Sequence, residues 1–250
     1  MRLDTVARSY VDTKMKLGRG EIEVWVASLS ALEPKQLGEL ESTLSADEVA
    51  RADKFYFERD RRSFIGRRGI LRAILAAYLG TKPSALRFLY NEFGKPRLEA
   101  STEAARNLSF NLSHSGGLAL VAVAIDREVG IDLELIDSTV ASGEVAKRFF
   151  SKNEVAALEA MPLPMRLAGF FNCWARKEAY IKARGMGLSI PLDSFDVSLM
   201  EGEATDLAGI ENSSDTRSWK IEGLDVDPRY GAAIAAPGRD WKVVRRSWPS

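Results

Sequence analysis

Cysteine and histidine are almost missing: Cys173 and His114 are the only examples among 250 residues. A single thiol excludes an internal disulfide framework and a multi-cysteine zinc site. Net charge is missing too, with 35 Lys and Arg against 35 Asp and Glu. Such a chain has no global electrostatic footprint for nucleic acid, so any anion site must come from local clustering. Long apolar runs are absent. The longest, Leu118 to Ile125, is too short to cross a bilayer. Met1-Arg2-Leu3-Asp4 lacks the apolar core of a secretory signal. A cytoplasmic protein with no membrane and no nucleic-acid partner is expected. Walker and Rossmann glycine fingerprints are absent, which argues against nucleoside-triphosphate and dinucleotide chemistry. There is no Gly-x-Ser-x-Gly elbow, and His114 flanked by Ser113 and Ser115 makes a poor triad.

What is present is carboxylate. Val129-Gly130-Ile131-Asp132-Leu133-Glu134 reads as a strand, whose side chains alternate between faces. Asp132 and Glu134 then share one face, and Ile131 and Leu133 the other. Trp174-Ala175-Arg176-Lys177-Glu178-Ala179-Tyr180-Ile181-Lys182 reads as a helix that puts Trp174, Glu178 and Lys182 on one side. If strand and helix meet, three carboxylates converge beside a lysine. That is a hard, all-oxygen site suited to Mg²⁺ or Mn²⁺, and magnesium sites commonly hold substrate phosphates. Taken singly, each pair has a plainer reading: a solvated strand face, or an exposed ion pair worth about 0.3–0.5 kcal/mol.

The spacing predicts a strand over Glu21–Leu29 and helices over Leu32–Leu44 and Arg61–Leu79, the latter ended by Gly80. Strands follow at Leu86–Tyr90, Phe110–Leu112 and Leu118–Ile125, with Ser113-His114-Ser115-Gly116-Gly117 as a loop between the last two. Helices are expected at Ser142–Phe150, Lys152–Leu158 and Arg166–Arg184, and Met161-Pro162-Leu163-Pro164 as a break. Phe195–Leu199, Trp219–Glu222, Gly231–Ala236 and Trp241–Val244 read as antiparallel strands, with residues 1–20 a weakly ordered lead and Ala208–Thr216 a surface loop. The result is an α+β chain of two lobes, 1–138 and 139–250. The Asp132 strand would close the first lobe and the Glu178 helix would belong to the second, with the site in the cleft between them.

Asn111-Leu112-Ser113-His114-Ser115-Gly116, Gly130-Ile131-Asp132-Leu133-Glu134 and the Trp174–Lys182 block resemble the signature blocks of 4′-phosphopantetheinyl transferases, in order and spacing. Phe93-Gly94-Lys95-Pro96, Arg148-Phe149-Phe150-Ser151, and Gly187-Leu188-Ser189 running into Pro191–Phe195 also match. The resemblance covers roughly residues 45 to 235. It looks like the surfactin-synthetase-activating type, a monomer of two similar α/β lobes in pseudo-twofold arrangement, rather than the short trimeric type.

The resemblance implies transfer of the phosphopantetheine arm of coenzyme A to a serine of an apo acyl or peptidyl carrier protein, releasing adenosine 3′,5′-bisphosphate. Asp132, Glu134 and Glu178 would hold Mg²⁺ (Mn²⁺ is possible). Glu178, or a water on the metal, would accept the serine proton. Lys182 would stabilise phosphate charge, and Ser113 and His114 would bind coenzyme A phosphates. Lys95 would lie near the nucleotide and Arg51 would meet the 3′-phosphate.

This chain departs from the pattern where some relatives carry lysine, since Glu48 stands there. Arg61, Arg68 and Arg72 share a helix face and are candidates to compensate, while Arg67 falls in the apolar arc. Gly116-Gly117 replaces a bulkier second residue. Two other readings stay open: a non-catalytic coenzyme A-binding module, and a magnesium-dependent pyrophosphohydrolase.

Overall fold

The computed structural model describes residues 15–99, 102–139, 141, 143–207 and 218–249. The expected lead before residue 15 and the 208–216 loop lie outside the described residues. In chain order the elements are β1 (Glu21–Ser28), α1 (Pro34–Glu41), α2 (Ala46–Ala52), α3 (Glu58–Leu79), β2 (Phe88–Tyr90), β3 (Pro96–Leu98) and α4 (Glu103–Asn107). There follow β4 (Leu108–Ser115), β5 (Leu118–Ile125), β6 (Gly130–Leu135), α5 (Gly143–Phe149), α6 (Lys152–Ala160) and α7 (Leu163–Arg184). β7 (Ala204–Leu207), β8 (Trp219–Gly223), β9 (Tyr230–Pro237) and β10 (Lys242–Ser247) complete the chain.

Two long helices anchor the two halves. Both α3 and α7 have 22 residues and end in a left-handed glycine, Gly80 at φ 63° and Gly185 at φ 64°. Only glycine takes that conformation without steric cost. Both helices begin three residues before the expected start. In α7 the reason is chemical: Pro162 is the N-cap and Pro164 lies in the first turn, where no helical partner awaits the missing N–H. The prolines therefore start the helix instead of breaking the chain. Ser151 and Glu154 form the expected capping box of α6.

One four-stranded sheet runs β10-β1-β5-β4 and the other β6-β9-β8-β7. Phe64, Ile65, Leu71, Ile74 and Leu75 of α3 pack on Trp25, Phe110, Val121 and Val123 of the first sheet. Phe171, Cys173 and Tyr180 of α7 pack on Trp219, Ile221, Ala233 and Ala235 of the second. A third cluster joins Ile22, Val24, Leu120 and Ala122 to Ile131, Leu133 and Ile234, so the sheets also pack on each other. Each such buried aliphatic side chain contributes about 1.5–3 kcal/mol of transfer free energy.

Three expectations need correction. The strand carrying Asp132 does not close the first sheet; β6 pairs with β9 and forms an edge of the second. The last strand leaves its antiparallel neighbours and runs parallel to β1. Phe195–Leu199 is not a strand, although Phe195, Val197 and Leu199 are buried. Side chains take up its backbone groups instead of a ladder. The Val197 N–H donates to Glu154 at 2.7 Å and the Ser198 N–H to Thr205 at 2.8 Å, while the Phe195 carbonyl accepts from Lys177 at 2.6 Å and the Leu199 carbonyl from Asn172 at 3.2 Å.

Candidate active site

Glycine at position 130 brings the carboxylates together. A Cβ there would lie 2.1 Å from the Ala179 carbonyl oxygen and 2.3 Å from the Ala183 nitrogen. Those are backbone atoms of α7 that cannot swing away. Without the Cβ, α7 lies directly on β6, and Glu178 and Lys182 reach the acidic face of the strand. Asp132 is wholly buried. The Lys182 ammonium ion-pairs with its Oδ1, and Oδ2 is buried with no hydrogen-bond partner.

The charges act on one another across this group. Burial, then the Asp132 charge, push the Glu134 carboxyl up from its ordinary value of 4.5 to about 7. Burial and the same Asp132 charge raise Glu178. Burial works against the charge on Lys182, yet Asp132, Glu178 and Glu134 raise its pKa. Ordinary pH thus finds a protonated lysine among carboxylates that resist joint ionisation. A cation would relieve that repulsion. The donor set fits a hard divalent ion: it is all oxygen, and one buried oxygen is already without a partner. Among the described residues, no three such side chains stand in a closed ligand cluster; the Lys182 ammonium holds the place on Asp132.

The first sheet meets this group through β4. Ser113, His114 and Ser115 belong to β4, so only Gly116 and Gly117 turn the chain. The expected loop is therefore mostly strand, and alternation sends its side chains two ways. Asn111, Ser113 and Ser115 face β6 and accept from the N–H groups of Ile131 (2.9 Å), Leu133 (3.3 Å) and Leu135 (3.0 Å). His114 stands on the other side of β4. The two glycines explain the departure noted in the sequence. The Gly117 carbonyl, at φ 90°, accepts from Leu29 and Ser30, and the Gly116 carbonyl accepts from Tyr230 at 2.8 Å. A cavity of about 700 Å³ beside them is lined by Ser30, Arg59, Arg62, Ser63, His114 and Gly117, among others.

His114 borders a basic corner. Burial, then Arg67 and Lys182, push its pKa from 6.5 to about 4. Arg51 and Arg67 share one ring: their guanidinium carbons stand 5.4 and 5.0 Å from the centre of Phe64. Burial and these neighbouring cations lower Arg67 to about 10. Among the described residues no carboxylate pairs with Arg67; its nearest polar partner is Ser63 at 3.4 Å. The arginines expected to compensate for Glu48 are engaged elsewhere. Arg68 and Arg72 both ion-pair with the buried Glu48 itself, and Arg61 pairs with Glu41 and Asp53. Sequence reasoning missed Arg67. Its only signal is an arginine on an apolar arc with no acid three or four residues away.

Lys95 is not gathered into the group. Its amine donates to Glu128 at 2.8 Å and to the Ala183 carbonyl at 2.6 Å, tying the β2–β3 hairpin to the end of α7. Among the described residues no hydrogen bond or ion pair joins it to the carboxylates, Ser113, His114 or Lys182. Cys173 is buried, and Trp174 stacks on Phe170 at 6.2 Å as a core anchor.

Interlocked sheets, each backed by a long helix, place acids and a lysine at their seam beside an arginine corner, an arrangement able to hold a phosphorylated ligand. A profile described as the 4′-phosphopantetheinyl transferase superfamily matches residues 128–235, and one described as 4′-phosphopantetheinyl transferase, N-terminal, matches residues 32–126. The chain is 40% identical over 222 residues to the 4′-phosphopantetheinyl transferase HetI of Nostoc sp., covering 89% of this chain and 90% of that protein. It is 32% identical over 201 residues to the 4′-phosphopantetheinyl transferase Sfp of Bacillus subtilis, covering 80% and 85%. The L-aminoadipate-semialdehyde dehydrogenase-phosphopantetheinyl transferase of Mus musculus is 28% identical over 207 residues, covering 77% and 67%. The chain belongs to the 4′-phosphopantetheinyl transferase superfamily and is a transferase.

Proposed function

We propose that this protein moves the 4′-phosphopantetheine arm of coenzyme A onto a serine hydroxyl of an apo acyl or peptidyl carrier protein. Adenosine 3′,5′-bisphosphate leaves. The observation that carries this reading is the convergence of Asp132, Glu134, Glu178 and Lys182 at the seam of the two sheets. The relatives are transferases by name and support neither a non-catalytic binding module nor a pyrophosphohydrolase.

Asp132, Glu134 and Glu178 would hold Mg²⁺, or Mn²⁺, which when bound supplies charge neutralisation on the pyrophosphate. The chain's own groups do the rest. The serine oxygen forms a bond to the phosphorus that carries the pantetheine arm, and the bond from that phosphorus to the leaving bisphosphate breaks. Glu178 takes the serine proton, a role to which its raised pKa is suited. Lys182 turns its charge from Asp132 to the phosphate oxygens and stabilises the charge that develops there. Arg51, Arg67 and His114 form the anion site for the 3′-phosphate, with the unpaired Arg67 at its centre. Lys95 would have to leave the α7 carbonyl to serve the nucleotide.

All the proposed catalytic groups come from one chain, which supports a working monomer. Residues 1–138 would bind coenzyme A and residues 139–250 would supply the catalytic helix and meet the carrier, with β6 lent to the second sheet and β10 to the first. Among the described residues no helix is long and apolar enough to cross a membrane, and a cytoplasmic setting suits the lone, buried thiol.

The test is intact-mass spectrometry of an apo carrier protein incubated with this protein, coenzyme A and Mg²⁺, beside an EDTA control. A gain of one phosphopantetheine arm, lost with EDTA, is expected. Cleavage of coenzyme A without carrier modification would instead identify a hydrolase.

A further inference from the structure

We infer that Asn91 is a positioning residue: it ties the β2–β3 hairpin to the end of α7 and so holds Lys182 in place against the phosphate site of the first half. Among the described residues the hairpin is a two-stranded sheet on its own, a unit with little stability unless other elements hold it. It has two attachments. On the first half, the Tyr90 hydroxyl accepts from Arg68 of α3 at 2.8 Å, and Phe88 meets Phe110 of β4 edge-on with ring centres 5.7 Å apart. On the second half, Asn91 and Lys95 meet the last residues of α7. The hairpin is thus a strap across the seam, supplementing the side-chain bonds from β4 to β6.

One amide does two things here. Oδ1 of Asn91 accepts from the N–H groups of Phe93 at 3.1 Å and Lys95 at 2.8 Å, which folds the turn. With the oxygen facing two donors, the amide nitrogen must face the other way. Nδ2 there donates to the Gly185 carbonyl at 2.6 Å. Gly185 caps α7, and its own N–H donates to the carbonyls of Ile181 at 2.9 Å and Lys182 at 3.2 Å. Asn91 therefore joins the hairpin turn to the helical turn that carries Lys182. The approach needs a bare Cα: a Cβ on residue 185 would lie 2.7 Å from Lys95 Cδ and 3.3 Å from Asn91 Nδ2. Lys95 shares the load while it donates to the Ala183 carbonyl, but its amine would have to leave to serve the nucleotide. Asn91 stays, bonded to backbone at both ends. Packing on Gly130 seats α7 on β6 of its own sheet. Arg51, Arg67 and His114 lie on α2, α3 and β4 of the other half, and the strap reaches from that half to the lysine.

Asn91 acts in this way only if Lys182 serves the phosphate, the role proposed for it. The experiment measures kcat for carrier modification and KM for coenzyme A in the unaltered protein, N91S, K182M and the double variant. Serine keeps a neutral acceptor for the turn and lacks the amide that reaches Gly185. Small misplacements of reacting groups cost up to about a hundredfold in rate. N91S is therefore expected to lose about ten- to a hundredfold in kcat, with KM for coenzyme A within about twofold. Added to K182M, the same change should cost less than about twofold, because the charge that Asn91 places is already gone. An equal loss in both backgrounds would make Asn91 a general structural residue and overturn the inference. Unchanged kcat in N91S would overturn it too, as would a raised KM alone, which would make Asn91 part of nucleotide binding. Full turnover by K182M would instead bring down the role of Lys182. A folding defect lowers both backgrounds alike, so the comparison holds even where the urea midpoints of the variants differ.

Discussion

The Lys182 ammonium rests on Oδ1 of Asp132 and leaves Oδ2 of the same carboxylate buried and unpartnered. One cation therefore occupies part of the site that a second cation needs. Removal of the lysine charge should separate two effects. K182M is expected to bind Mn²⁺ at least as tightly as the unaltered protein, yet to lose about a hundred- to a thousandfold in turnover. Carrier modification followed by mass spectrometry, with a parallel Mn²⁺ titration, checks both.

Glu178 lies on the same face one helical turn earlier. E178Q keeps the shape and removes the base. Turnover should fall by about a hundred- to ten-thousandfold, while coenzyme A affinity in EDTA stays within about twofold, since no metal is then bridging it. Intact activity in E178Q would refute its place in the mechanism.

Glu134 makes the metal-free protein pH-sensitive. Its folded pKa of about 7 lies above its ordinary 4.5, so between these values the folded state holds a proton that the unfolded state has released. Stability in EDTA should accordingly fall as pH rises from 4.5 to 7. The cost approaches about 3 kcal/mol. His114, shifted down to about 4, acts with the opposite sign over an overlapping range. Urea unfolding of E134Q against the unaltered protein isolates the first contribution: the advantage of the variant should grow across this window and level off above pH 7.

Arg67 gives a ligand-specific prediction. R67A should weaken coenzyme A binding by about ten- to a hundredfold, the range expected for one charged hydrogen bond. Binding of 3′-dephospho-coenzyme A should barely change. Calorimetry with both nucleotides distinguishes a 3′-phosphate contact from general loss of positive charge, which would weaken both alike.

Gly130 gives a structural one. G130A sets a methyl group against backbone atoms of α7 at 2.1 and 2.3 Å. Destabilisation of about 3 kcal/mol or more is expected, read as a lowered unfolding midpoint and a loss of Mn²⁺ binding as helix and strand move apart.

The acids, the lysine and both long helices were legible in the sequence because each announces itself locally, by alternation, by helical spacing or by a terminal glycine. Strand partners were not. Asp132 sits on the second sheet because β6 pairs with β9, residues Tyr230–Pro237, and no local pattern encodes a partner a hundred residues away. The Phe195–Leu199 segment alternates as a strand does, yet Glu154, Thr205, Lys177 and Asn172 take its backbone bonds. Ser113 to Ser115 looked like loop because serines, histidine and glycines favour turns; tertiary hydrogen bonding to β6 overrides that preference. Glu48 read as a lost phosphate ligand, but its meaning lies in Arg68 and Arg72, which are distant in sequence and adjacent in space.

β10 runs parallel to β1, pairing Glu21 with Lys242 and Val26 with Ser247. The first sheet is therefore assembled from segments more than two hundred residues apart. On the ribosome, β1 must wait with one edge open until the whole second lobe has been made. Glu23, a buried residue of β1, waits as well for the two hydrogen bonds that Arg246 will supply. The first half of the chain is thus a poor candidate for independent folding during synthesis. Chains interrupted before Lys242 would present an open strand edge, a surface that chaperones and aggregation compete to cover.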